Sequence, residues 1–220
     1  MIKKVKTEQL FSLVPEYLSE LFSECEYPWQ IIPKIKEYVL KISASLDDGY
    51  YEYKKGVIIH KSVKIYDLTT IEGNVFIGEG CEVRPGAFIR GNVITGMGCV
   101  IGNSTEIKNS VLCDFVQLPH YNYVGDSVLG TRTHLGASAI CSNLKSDRKN
   151  VTVHADTEYD TSLCKLGAIL ADGVDVGCGS VLNPGTVVGK NSSVYPNITL
   201  RGVYPENSIV KGEKQFERRI

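Results

Sequence analysis

His120 is the residue of this sequence best suited to chemistry, because an imidazole gains and loses a proton near neutral pH. Arg84, Glu106 and Tyr123 are its companions of interest. A carboxylate that orients an imidazole gives it the makings of a general base, and a guanidinium grips anions with a fork of donors. A histidine standing alone on a surface is usually only solvated. The case for chemistry therefore depends on what brings these side chains together.

A repeat of period six does so. Ile59, Ile65, Ile71, Ile77, Val83, Ile89, Thr95, Ile101 and Ile107 stand six apart, and four residues after each comes a small or β-branched one, as at Val75, Cys81, Ala87 and Cys99. The register shortens by one to Leu112, Leu118 and Val124, and again to Leu129, Leu135 and Cys141. It returns at Leu170, Val176, Leu182, Val188 and Val194. A helix wants a period of 3.6 and a half-buried strand a period of 2, whereas six marks a hexapeptide β-helix. Each hexapeptide supplies a short parallel strand and a corner, and three make one coil of about 18 residues, stacked at about 4.8 Å. The expected fold is an all-β solenoid, a left-handed parallel β-helix over 57–200. Unrolled, it stacks Val83, Ile101, Leu118 and Leu135 on one wall. Arg84, Glu106, His120 and Tyr123 then point outward, Tyr123 lies one coil above Glu106, and Ala137 lies one coil above His120.

Residues 1–56 lack the sixfold pattern. Pro15 and Pro33 suit first helical turns, and Ile35, Tyr38, Val39 and Ile42 form an apolar stripe, so this segment is expected to be an α-helical cap over the first coil. The repeat is also lost over 142–166, a polar excursion of the kind where function is added to a scaffold. The tail 201–220, with its basic KGEKQFERRI, is expected to be a solvated helical end.

Composition excludes several classes. A net charge of −1 gives no basic field for nucleic acid or an anionic membrane. No run of about 18 apolar residues is present to span a bilayer, and the N-terminus lacks the apolar core of a signal peptide, which points to the cytoplasm. The seven cysteines show no C-x-x-C spacing, so reduced thiols are expected, with Cys81 and Cys99 packed one coil apart in the interior. The four histidines are separated by 60, 14 and 20 residues, which suits no shared metal, and none is expected.

The stretch from Val83 to Asn143 carries an ordered set of motifs: RPGA, GNSTEIK, HYNYVGD and CSN. In these it resembles the acetyltransferase domain of the bifunctional UDP-N-acetylglucosamine pyrophosphorylase/glucosamine-1-phosphate N-acetyltransferase family, and the part from Lys165 onward resembles archaeal members. The resemblance implies acetyl transfer from acetyl-CoA to the amine of glucosamine-1-phosphate. It makes His120 the general base, Glu106 the carboxylate that orients it, and Arg84 and Lys108 the cations on the sugar phosphate. It adds Tyr123, Asn143 and Lys149 as sugar contacts, and the backbone of Ala137 and Ala168 as contacts to the coenzyme. It further implies a homotrimer with the site at a subunit boundary. This chain departs from the bacterial pattern at His134, where an Asn involved in sugar binding is usual, and at Leu144, where an aromatic is usual. No glycine-rich nucleotide loop precedes the β-helix, so uridylyl transfer is not expected. Two other readings stand beside this one: an acyltransferase for a different sugar, and a non-catalytic sugar-nucleotide-binding or assembly subunit.

Overall fold

Branched residues six apart can all face inward only if the chain turns a corner after every short strand, and this geometry is what forms. The computed structural model describes residues 4–44, 47–213 and 215–218, so Met1–Lys3, Ser45, Leu46, Lys214, Arg219 and Ile220 lie outside it. Its core is a left-handed parallel β-helix with three walls. The first wall stacks Lys64–Ile65, Glu82–Val83, Val100–Asn103, Gln117–His120, His134–Leu135, Asp175–Val176, Ser193–Val194 and Ser208–Gly212. The second and third walls share the long bent strands Phe88–Thr95 and Glu106–Leu112. The second continues through Tyr123–Gly125, Ile140–Cys141 and Val181–Leu182; the third runs from Val57–His60 and Asn74–Ile77 to Val128–Leu129, Ala168–Leu170 and Thr186–Val188. Ile89, Ile101, Ile107, Leu118, Leu135 and Val176 are completely buried in the interior.

The outward side of the third wall is apolar as well. Phe76, Ile94, Val111, Val128, Ile169 and Val187 point away from the interior, yet none is more than 1% exposed. What covers them is the N-terminal segment. Its helix Ile35–Ser43 buries Ile35, Tyr38, Val39 and Ile42 and packs on Asn74–Ile77 and Phe88–Thr95, while Pro28–Lys34 packs on Val128–Leu129. The segment is thus a layer along one wall and not a cap over the first coil, because the larger apolar surface lies on the wall. The first coil's strand Val57–His60 pairs instead with Tyr50–Lys54 in an antiparallel hairpin.

Polar bonds fix the layer along its length. Tyr17 donates its hydroxyl to Thr95 O at 3.1 Å, and Lys4 lies 2.7 Å from Glu206 near the far end. Asp172, 4% exposed, accepts the Ser12 and Leu13 N–H groups on Oδ2 at 2.7 and 3.1 Å and the Thr131 N–H on Oδ1 at 3.0 Å.

The excursion of 142–166 forms a small antiparallel hairpin, Thr152–His154 with Glu158–Asp160, and Tyr159 packs at 5.4 Å from the Tyr27 ring and 6.0 Å from Trp29. The tail is no helix: Gln215–Arg218 turns back antiparallel on Ser208–Gly212, closing the last edge of the first wall.

Asp172→Ala strips three backbone N–H groups of their acceptor, at a cost of about 2–4 kcal/mol. Hydrogen exchange of residues 7–43 should speed up while the solenoid amides stay protected. Unchanged protection in the segment would show that Asp172 does not hold it.

Candidate active site

Stacking aligns outward residues of the second wall into columns. One column holds Phe88, Glu106, Tyr123 and Ile140, and another holds Arg90, Lys108 and Gly125. His120 ends the adjoining first-wall strand, and the chain turns the corner through Tyr121 at a left-handed φ of 52°. A bulky residue there is uncommon and costs on the order of 1–3 kcal/mol, so the surroundings must hold it. Asn122, 2% exposed, does this: Oδ1 accepts the His120 N–H at 3.2 Å and Nδ2 donates to Gly136 O at 2.8 Å. The backbone of His120 is pinned. Its side chain is exposed and makes no hydrogen bond or ion pair among the described residues.

Glu106 is not bonded to His120. Arg90, one coil below in the neighbouring column, donates Nε to Glu106 Oε1 at 2.8 Å, with Nη2 at 2.7 Å from the same oxygen, and its guanidinium lies 5.6 Å from the centre of the Phe88 ring. The expected Glu106–His120 contact is corrected in this respect: the Arg90 guanidinium meets the carboxylate with two charged donors.

Lys108 lies 3.3 Å from Asp126 Oδ2, the oxygen that also accepts Asn143 Nδ2, while Oδ1 accepts Asn109 Nδ2 at 3.2 Å. Asp126, 4% exposed, gathers three donors and orders this edge. Tyr123 stands over Glu106, with its hydroxyl beside the Asn143 amide. A side chain at Gly125 would begin 2.6 Å from Asn143 Nδ2 and 2.7 Å from the Tyr123 hydroxyl oxygen, so glycine leaves room for that pairing. Burial, and then the Glu106 charge, push the Tyr123 phenol above its ordinary pKa. One coil above His120, Ala137 accepts the Gly179 N–H at 2.8 Å, and its own N–H finds no acceptor among the described residues.

Residues 71–215 match the family model described as the GMPPB C-terminal domain. The chain belongs to this family. It is also similar to the bifunctional protein GlmU of Methanococcus maripaludis strain C5, 32% identical over 211 residues, covering 88% of this chain and 48% of the relative. A second relative is the bifunctional sugar-1-phosphate nucleotidylyltransferase/acetyltransferase of Sulfurisphaera tokodaii, 34% identical over 174 residues, covering 77% of this chain and 43% of the relative. The chain spans about half the length of the curated relatives it matches. Among solved structures, the N-acyltransferase AntD of Bacillus cereus, in complex with dTDP and 3-hydroxybutyryl-CoA, aligns with a TM-score of 0.37 at 16% identity, over 82% of this chain and 85% of that chain. The likeness to GlmU proteins first legible in Val83 to Asn143 thus extends along most of the chain.

The match to the GMPPB C-terminal domain runs through the site, but not every expected residue joins it. Arg84 stands before the corner on the first wall, with Nη2 at 3.2 Å from Glu82 Oε2. Lys149 lies on the excursion, its N–H donating to Asp147 Oδ1 at 3.0 Å and its side chain making no hydrogen bond or salt bridge among the described residues. Ala168 is corrected: it is completely buried and its N–H donates to Ser127 Oγ at 3.0 Å, which leaves that amide no bond for a coenzyme. His134 shares the column of Gln117, at the opposite end of its wall from His120, with Nδ1 at 2.8 Å from Asp175 Oδ1. Cys81 and Cys99 are buried free thiols. No group of three potential metal ligands occurs among the described residues, and no helix there is long and apolar enough to cross a membrane. Arg90, Asn109 and Asp126 were not anticipated. The column arithmetic could have found Arg90, since it precedes Lys108 by one coil.

A raised phenol pKa predicts that the stability contributed by Tyr123 is intact below about pH 10, the unfolded value, and falls as pH rises beyond it. Ultraviolet difference titration of wild type against Tyr123→Phe should show this phenol ionising above pH 10. Glu106→Gln should lower its pKa only in part, because burial is the larger cause. Titration at or below pH 10 would contradict this environment.

Proposed function

We propose that this chain is an acyltransferase that moves the acetyl group of acetyl-CoA onto the amine of an amino-sugar phosphate, with glucosamine-1-phosphate as the leading acceptor. The observation that carries the reading is His120: an exposed imidazole without a partner among the described residues, on a pinned corner, beside Tyr123 and one coil below a free backbone N–H. The names of the GlmU proteins and of the sugar-1-phosphate nucleotidylyltransferase/acetyltransferase support the same class of reaction.

Each group has a step to perform. The neutral amine of the acceptor attacks the thioester carbonyl carbon, forming the C–N bond. His120 takes the proton that the nitrogen sheds, and the Ala137 N–H donates to the carbonyl oxygen as it gains negative charge. Collapse breaks the C–S bond, and the coenzyme leaves as thiolate, to be protonated by the imidazolium. Tyr123 and Asn143 hold the sugar, and Lys108 and Arg84 supply charge toward its phosphate. Lys149 joins them when the excursion of a neighbouring subunit closes over the wall, in the homotrimer that we propose as the working assembly. The helical segment up to Ala44 packs on the third wall, and the proposal gives it no part in nucleotidyl transfer.

The engagement of Glu106 by Arg90 favours a second reading, a sugar-nucleotide-binding or assembly subunit without turnover, because it leaves the base without its carboxylate. A thiol-release assay separates the two. His120→Ala should lower kcat by about 10²–10⁴-fold with little change in KM. Wild-type turnover retained in His120→Ala would overturn the base assignment, and no turnover by wild type on any amino sugar would favour the binding subunit.

A further inference from the structure

The cations expected at the sugar phosphate each have an acidic neighbour. Lys108 is tied to Asp126, whose carboxylate is buried and already accepts two amide donors, and Arg84 sits across the corner against Glu82. Arg90 is a third cation, on the second wall in register with Lys108. Its Nε and Nη2 bond to one oxygen of Glu106, which uses a single edge of the guanidinium. Nη1 and the second N–H of Nη2 have no acceptor among the described residues. That remaining edge is the one whose two parallel N–H groups match two oxygens of a phosphate. Glu106 along one side and the Phe88 ring against the guanidinium fix its plane in advance, which cuts the entropy lost when an anion is captured. Arg90 also pairs in register with Lys108, so the two cations rise from adjacent strands about 4.8 Å apart.

We infer that Arg90 is a further phosphate-recognising residue, beside Lys108, and the one that makes this site select a phosphorylated acceptor. The inference rests on the acetyl-transfer reading for its biological substrate, but the anion site itself does not depend on turnover. Glu106 has two tasks in this arrangement. One carboxylate oxygen holds Arg90, and the other, Oε2, has no partner among the described residues and stays available toward the neighbouring Tyr123 and the acceptor.

The test compares glucosamine-1-phosphate with unphosphorylated glucosamine as acceptors for wild type, Arg90→Gln and Arg90→Lys. Arg90→Gln should raise KM for the phosphorylated sugar by about tenfold to a hundredfold and leave KM for glucosamine unchanged, with kcat altered little. Arg90→Lys, which keeps the charge and loses the fork, should fall between. A merely structural role for Arg90 would impair both acceptors alike, and an unchanged ratio of the two KM values would overturn the proposal. A second measurement needs no catalysis. Inorganic phosphate titrated into nitrogen-15-labelled protein should shift the Arg90 Nε resonance in wild type, and Lys108→Gln should weaken the response without abolishing it. If wild type acetylates neither sugar but phosphate moves Arg90, the transfer reading fails and the anion site stands. If phosphate leaves Arg90 unmoved, the anion site fails whatever the enzyme turns over.

Discussion

Backbone hydrogen bonds between successive coils govern everything else in this molecule. Glu106 N–H donates to Asn122 O, Ser138 N–H to His120 O, and Arg84 N–H to Ile101 O, each one coil from the next at 2.8–3.0 Å. Such bonds fix the distance between neighbouring outward side chains at the interstrand spacing, whatever those side chains are. Residues far apart in sequence therefore become fixed neighbours, as with Arg90 and Lys108 or Glu106 and Tyr123. The interior must then be filled by residues of the right shape every six positions, because a coil that slipped by one would turn its branched side chains outward.

A solenoid with three walls can place chemistry on one only if the others are accounted for. Here the third wall carries Phe76, Ile94, Val111 and Ile169 outward, an apolar surface that water would oppose, and the N-terminal layer covers it. That layer in turn receives Tyr159 from the excursion hairpin, so the loop that rises beside the site is braced from behind. The corner at Tyr121 and the buried carboxylate of Asp126 do the same at shorter range. Each holds a strained or charged group in one geometry, which is what a site needs when its side chains must meet a substrate ready placed.

Sequence made the solenoid and its columns plain because inward positions obey a period that only packing can impose. His120, Ala137, Glu106 and Tyr123 were placed in their columns by that period alone. Their side-chain partners were not, since an outward rotamer is chosen by local charge; Glu106 turned to Arg90, whose presence one coil before Lys108 was visible but unweighed. The N-terminal layer was legible as helix from Ile35, Tyr38, Val39 and Ile42, yet its position depended on outward apolar residues of the third wall, which a reading of inward positions passes over. Ala168 fell on a covered strand because the register shortens before it and returns only at Leu170. The tail failed for another reason: Ser208–Gly212 still belongs to the repeat, and its free edge recruits Gln215–Arg218 as a strand despite the charges.

The most direct measurement is mass spectrometry of the product formed from glucosamine-1-phosphate and acetyl-CoA labelled with carbon-13 in the acetyl group. The account predicts a sugar phosphate heavier by one labelled acetyl group, carried on nitrogen, with one equivalent of free coenzyme A. Free coenzyme A accompanied by labelled acetate, with the sugar unmodified, would contradict it.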